Sequence, residues 1–144
     1  MKKILVPLDS TPIASYVLAA AVDEARRRDA ELILVRALGI PTELPLDAYV
    51  LAPDQVANLL EKSAQSELAK VRATVPADVT CRVRVEFGAA WRVVCDVAKS
   101  EDVALIVLGA HAHRTLDGVL GTTASRVIHH TDRNVLVVRA NIAG

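Results

Sequence analysis

The chain has 144 residues, of which 52% are hydrophobic and 24% are charged. This length suits one domain, which we assign to residues 1–144, and the hydrophobic content excludes an intrinsically disordered chain. The 17 basic and 17 acidic residues cancel, so net charge gives no argument for a nucleic-acid-binding protein.

Short apolar runs alternate with helix-periodic segments along the chain. The predicted strands cover residues 3–8, 31–38, 79–87, 103–108 and 135–139. We predict that Ser10 or Thr11 caps the first helix and that Pro12 lies in its first turn. Pro53 begins the second helix, Ala89 the third and about Thr122 the fourth. The second helix carries an apolar stripe made of Val56, Leu60, Ala64, Leu68, Val71 and Val75.

The resulting order, βαβαβαβαβ, predicts an α/β fold. Its parallel sheet has five strands with helices on both faces. We expect the flavodoxin-like, Rossmann-like strand order 3-2-1-4-5. In that order, a crevice opens at the carboxyl ends of strands one and four, where such folds bind ligands.

Two polar segments are predicted to meet at this crevice. Asp9 follows the first strand, Gly109 ends the fourth, and Gly121-Thr122-Thr123 begins the fourth helix. A helix N-terminus offers free amide groups and a positive dipole end, so up to three amides and two hydroxyls form a candidate anion site. Each residue also has a purely structural interpretation: Asp9 can stabilise a turn, and the two glycines can simply permit the local backbone.

These segments resemble the universal stress protein family. The resemblance covers ILVPLDST, AELILVRAL, FGAAWRVV, ALIVLGAHAH and GTTASRVIHHTDRNVLVVR. It implies the same five-stranded fold, often a homodimer, and in one branch an adenine nucleotide bound in the crevice. In that branch the glycine loop reads glycine, two residues, glycine, nine residues, then glycine and serine or threonine. Asp9 matches the branch's acidic residue that contacts the adenosine part.

The glycine loop departs from that branch at two points. Ala112 stands where the second glycine belongs, and eight residues instead of nine separate it from Gly121. Where a positive φ is required, alanine costs about 1–2 kcal/mol, so we expect weak binding of ATP or AMP. The predicted nucleotide-binding residues are Asp9, Ser10, Thr11, Ala37, Gly109, Ala112, Gly121, Thr122 and Thr123. The alternative function is a homodimeric protein-interaction module that binds no nucleotide.

The other reactive side chains do not indicate an enzyme. The loop pair His111/His113 has no evident acidic or cysteine partner that would complete a metal site; His111 and His113 are also candidates for phosphate contact or simple exposure. His129 and His130, at the end of the fourth helix, suit its dipole and need no function. No Walker motif or catalytic triad is evident, so we expect a non-enzyme, with slow ATP hydrolysis left open. We expect Cys81 and Cys95 to be reduced, with a disulfide as the alternative, in a cytoplasmic protein.

The sequence of the last strand predicts where two copies of the chain contact each other. Val135, Leu136, Val137 and Val138 form an uncharged apolar run on a strand at the edge of the sheet. Because such an edge can pair with another chain, we expect it to form the homodimer interface. We expect no membrane span, because no apolar segment approaches roughly 20 residues.

Overall fold

A computed structural model describes residues 1–39, 53–110 and 120–140 of the chain. The strands are β1 (Lys2–Pro7), β2 (Ala30–Leu38), β3 (Cys81–Phe87), β4 (Leu105–Gly109) and β5 (Asn134–Val138). The helices are α1 (Ala14–Arg28), α2 (Pro53–Arg72), α3 (Ala90–Ser100) and α4 (Thr122–His130).

All strand pairings in the described sheet are parallel, and the strand order is β3-β2-β1-β4-β5. This confirms the predicted fold class and strand order. The strand order changes direction beside β1, because β1 pairs with β2 on one side and with β4 on the other. A crevice therefore opens where the connections leaving β1 and β4 diverge to opposite faces of the sheet.

The sheet separates two apolar cores, because successive side chains of a strand point to opposite faces. Ile4 and Val6 of β1 belong to the core beneath α1 and α2, whereas Leu5 belongs to the core beneath α3 and α4. All three side chains are fully buried. Burial on both faces explains why the central strands are apolar at nearly every position rather than alternating.

The start of α1 differs from the sequence prediction. Neither Ser10 nor Thr11 caps the helix; Ile13 occupies the N-cap position, and no side chain caps the helix there. Pro12 therefore precedes the helix instead of lying in its first turn. The Thr11 hydroxyl donates to Asp9 Oδ1, so it is unavailable to the helix amides.

The predicted apolar stripe of α2 is buried only in part. Ala64 and Leu68 are buried, but Leu60 is 37% exposed. The helix packs mainly on β2 and β3, at one side of the sheet. The apolar periodicity of α2 therefore extends beyond the part that is fully buried in the core.

Charged side chains cluster on β3, one edge of the sheet, as its alternating sequence predicts. Glu101, just after α3, accepts from Arg82 and from Arg84, whose Nη1 lies 3.0 Å from Glu101 Oε1. Lys3 Nζ lies 3.5 Å from the same carboxylate. The hydrogen bond from Arg82 is the main reason why the pKa of Glu101 is lowered.

We expect Glu101→Gln to lower the free energy of unfolding by about 1 kcal/mol at neutral pH, since the hydrogen bonds lose their charge. A lowered folded-state pKa stabilises the protein above the unfolded value of about 4.3, and this contribution is lost as the pH falls through the folded pKa. Urea unfolding at several pH values measures the effect. The difference between wild type and variant should shrink below about pH 4; a difference that grows on acidification would contradict the assignment.

Candidate functional site

A cavity of about 640 Å³ lies at the carboxyl ends of β1, β2 and β4. This volume is within the range of roughly 300–1,000 Å³ typical of small-molecule sites. Its floor is apolar and includes Val35, Ala37, Val93, Val94 and Leu108. Its polar rim comes from the segment after β1 and the first turn of α4. An apolar floor with polar groups at the rim suits a ligand with one weakly polar end and one polar end.

Asp9 lines the cavity but also stabilises its own turn. Its Oδ1 accepts a hydrogen bond from the Thr11 amide at 2.9 Å, in addition to the Thr11 hydroxyl. Within the described residues, Oδ2 has no hydrogen-bond partner. Asp9 therefore stabilises its own turn through Oδ1, and its Oδ2 is left for a ligand.

Gly109 allows α1 to approach β4 closely. A Cβ at this position would lie 3.1 Å from Ile13 Cγ2 and 3.4 Å from Val17 Cγ2. Both side chains also line the cavity. The glycine is thus needed for close packing rather than for a positive φ, and it fixes the distance between two walls of the cavity.

The first turn of α4 presents backbone amides to the cavity. Gly121 is the N-cap, and its own amide donates to the Ala110 carbonyl at 2.6 Å. This corrects the predicted donor set, in which Gly121 could contribute an amide. The next three amides, of Thr122, Thr123 and Ala124, have no hydrogen-bond acceptor among the described residues. All three residues line the cavity, so the free amides form the polar end of the site.

Sequence reasoning missed Arg36, which lines the cavity near the end of β2. Its side chain is only 15% exposed and pairs with Glu67 of α2. Its Nε also lies 3.4 Å from the Leu8 carbonyl oxygen. The available signal was a single charged residue inside the otherwise apolar run LILVRAL.

The structure brings together most of the predicted nucleotide-binding residues. Those that line the cavity are Asp9, Ser10, Ala37, Gly109, Gly121, Thr122 and Thr123. Thr11 is not in the cavity wall, because its hydroxyl turns back to Asp9. Ala112, His111 and His113 lie outside the described residues.

In the described part of the chain, the histidine, cysteine and acidic side chains form no second site for a metal ion or for nucleophilic chemistry. Among the described residues, no group of three or more histidine, cysteine or acidic side chains is arranged to hold a metal ion. Cys81 and Cys95 are both free thiols. Burial raises the pKa of each, which disfavours the nucleophilic thiolate. In the same part of the chain, no helix has the length and hydrophobicity to cross a bilayer.

Comparisons of the sequence and of the structure with known proteins point to the same family. The model of the universal stress protein family matches residues 1–139. Universal stress protein A homolog 2 of Coxiella burnetii is 28% identical over 139 residues, covering 96% of this chain and 94% of the relative. The structure of universal stress protein UspA from Lactobacillus plantarum superposes with a TM-score of 0.79 at 25% identity, covering 96% and 97% of the two chains.

Two more distant structures share the fold and contain nucleotides. A universal stress protein solved in complex with cAMP has a TM-score of 0.69 at 19% identity, covering 96% of each chain. The universal stress protein from Archaeoglobus fulgidus in complex with dAMP has a TM-score of 0.66 at 18% identity, covering 95% of this chain and 97% of that one. Since the family model spans nearly the entire sequence, this chain belongs to the universal stress protein family.

Proposed function

We propose that the protein is a stress-response regulatory protein that binds an adenine nucleotide, ATP or AMP, weakly in the crevice between β1 and β4. The phosphates lie against the first turn of α4, and the adenosine part lies over the apolar floor beside Asp9 and Ala37. The role is binding rather than catalysis.

The observation that carries this proposal is the row of three amides, at Thr122, Thr123 and Ala124, that have no acceptor among the described residues and open onto a cavity. Such amides, together with the helix dipole, stabilise phosphate oxygens. The hydroxyls of Thr122 and Thr123 are exposed and have no partner among the described residues. The relatives solved with cAMP and dAMP support an adenine nucleotide as the ligand.

Weak binding follows from the charges in the cavity wall. Its charged residues, among those described, are Asp9 and Arg36. The guanidinium of Arg36 is already paired with Glu67, and the Asp9 carboxylate repels phosphate. The phosphates therefore depend on backbone amides and hydroxyls rather than on a lysine or arginine.

Isothermal titration calorimetry with ATP, ADP and AMP tests the proposal directly. We expect dissociation constants in the range of micromolar to millimolar. Native mass spectrometry of freshly purified protein checks for a nucleotide that co-purifies. If none of the three nucleotides binds at millimolar concentration, the nucleotide proposal fails and the interaction module remains.

We also propose that two copies associate through β5, the basis of the alternative function. The described sheet has two edges, β3 and β5. The β3 edge carries Arg82, Arg84 and Glu86, and such charges protect an edge from pairing. By contrast, the run Val135–Leu136–Val137–Val138 on β5 has no charge, and all four side chains are only partly buried. Pairing is thus expected at β5 and not at β3.

Val137→Asp is expected to produce monomers at micromolar concentration, because the new carboxylate would have to be desolvated at the interface. Analytical ultracentrifugation measures this, with Val83→Asp as the control, at a partly buried position on the other edge strand that packs against the core on the opposite face. A dimer that survives Val137→Asp, or a wild type that is monomeric, would show that β5 is not the contact.

A further inference from the structure

Trp91, the single tryptophan of the chain, is surrounded by cationic side chains on α3 and α4. The guanidinium carbons of Arg92 and Arg126 lie 5.2 Å and 6.0 Å from the centre of its ring. The ring of His130 lies 4.5 Å away, tilted by 38°. None of these four residues lines the nucleotide cavity, so the cluster is a separate feature of the surface.

These arginines differ from most others because they have no acidic partner within the described ranges 1–39, 53–110 and 120–140. Within the described residues, the ion-paired arginines are Arg26, Arg27, Arg28, Arg36, Arg82, Arg84 and Arg133. Those without an ion pair are Arg72, Arg92, Arg126 and Arg139. Two of these four are therefore gathered at Trp91, on a protein whose formal net charge is +0.

The tryptophan holds the two guanidinium groups without using their hydrogen-bonding capacity. A guanidinium over an aromatic ring is attracted to the ring face, while its N–H donors remain free for a bidentate oxyanion. Arg92 and Arg126 are both exposed, whereas Trp91 is partly buried and packs against the core beneath α3 and α4. The partly buried ring thus has two exposed guanidinium groups within 6.0 Å of its centre.

We propose that Arg92 and Arg126, held on Trp91, form a binding site for carboxylate groups of an acidic polypeptide segment. Charge complementarity favours such a partner, since each arginine can donate two parallel hydrogen bonds to one carboxylate. A single small anion would remain largely hydrated at exposed side chains, whereas linked carboxylates gain from simultaneous contact. A nucleic-acid strand needs a bare aromatic face for stacking, and the Trp91 ring already has two guanidinium groups and His130 around it.

Fluorescence anisotropy of a labelled decaglutamate peptide, titrated with the full chain at low ionic strength, tests the site. Tryptophan emission reports on the same event, because Trp91 is the sole emitter of this type. We expect saturable binding that weakens as salt is added. Arg92→Gln and Arg126→Gln should each raise the dissociation constant at least about five-fold, as is typical for arginines that anchor an interface.

Arg72→Gln is the matched control, because it removes from α2, on the opposite face of the sheet, an arginine that likewise has no ion pair in the described part of the chain. It should change the dissociation constant by less than about two-fold once about 0.1 M salt is added, because a Debye length of about 10 Å then screens a distant charge. Equal weakening by Arg72→Gln would show that the peptide senses only overall charge, which overturns the proposal. So would inorganic phosphate or a single-stranded oligonucleotide that changes Trp91 emission at lower concentration than the peptide.

Discussion

Thr122→Pro is expected to lower the affinity for an adenine nucleotide at least ten-fold while leaving α4 folded. The substitution removes one of the three free amides, and a hydrogen bond to a charged group is worth about 1.5–3 kcal/mol. Proline suits this position because Thr122 is the first residue of the helix. The preceding Gly121 is extended, with φ −65° and ψ 161°, which is the conformation that a residue before proline requires.

Thr122→Ala is the control for this experiment, because it removes the hydroxyl but keeps the amide. Calorimetry measures both variants, and thermal unfolding verifies that each remains folded. We expect a larger loss for proline than for alanine. If Thr122→Pro binds the nucleotide as wild type does, then the phosphates do not rest on the first turn of α4, even if the nucleotide itself binds elsewhere in the cavity.

Gly109→Val is expected to destabilise the protein by about 1–3 kcal/mol, the cost of overpacking a well-packed region. The added side chain would collide with Ile13, whose Cγ2 would lie 3.1 Å from the new Cβ. It would also push α1 away from β4 and so disturb the cavity wall. Urea unfolding measures the stability, and calorimetry measures any accompanying loss of nucleotide affinity.

Gly39→Val is the matched control, because a Cβ at Gly39 would meet no atom within 4 Å among the described residues. In a double-mutant cycle, Ile13→Ala should relieve part of the cost of Gly109→Val, with a coupling energy of at least about 0.5 kcal/mol. Strict additivity of the two changes would contradict a direct collision between the two side chains. A similar loss of stability for Gly39→Val would contradict it as well.

The cavity and the two proposed contact sites lie on different parts of the protein. The nucleotide cavity lies at the carboxyl ends of the central strands, the proposed dimer contact at the β5 edge, and the proposed acidic-segment site on α3 and α4. The first turns of both helices line the cavity through Ala90 and Ala124, and the same helices carry Trp91 and Arg126. A partner bound at Trp91 would therefore touch the two helices that also form the nucleotide cavity.

The sequence by itself determined the fold. Fully apolar strands such as Leu105–Gly109 alternate with helical segments, and this alternation leaves few topologies for a parallel sheet. The strand order then places Asp9 and Thr122 beside the same crevice, although 112 positions separate them in the sequence. Local patterns were sufficient here because hydrophobic burial and chain connectivity act at the level of whole elements.

Only the tertiary structure decided how individual donors and acceptors are used. It showed that the amide of Gly121 is occupied by Ala110, that the Thr11 hydroxyl turns to Asp9 instead of capping α1, and that Arg36 enters the cavity wall. The physical reason is that several elements can place a partner within hydrogen-bond distance of each of these groups, and the folded structure selects one of them. Such choices depend on positions fixed by packing, as when Ile13 comes to rest against Gly109, and no local pattern in the sequence encodes them.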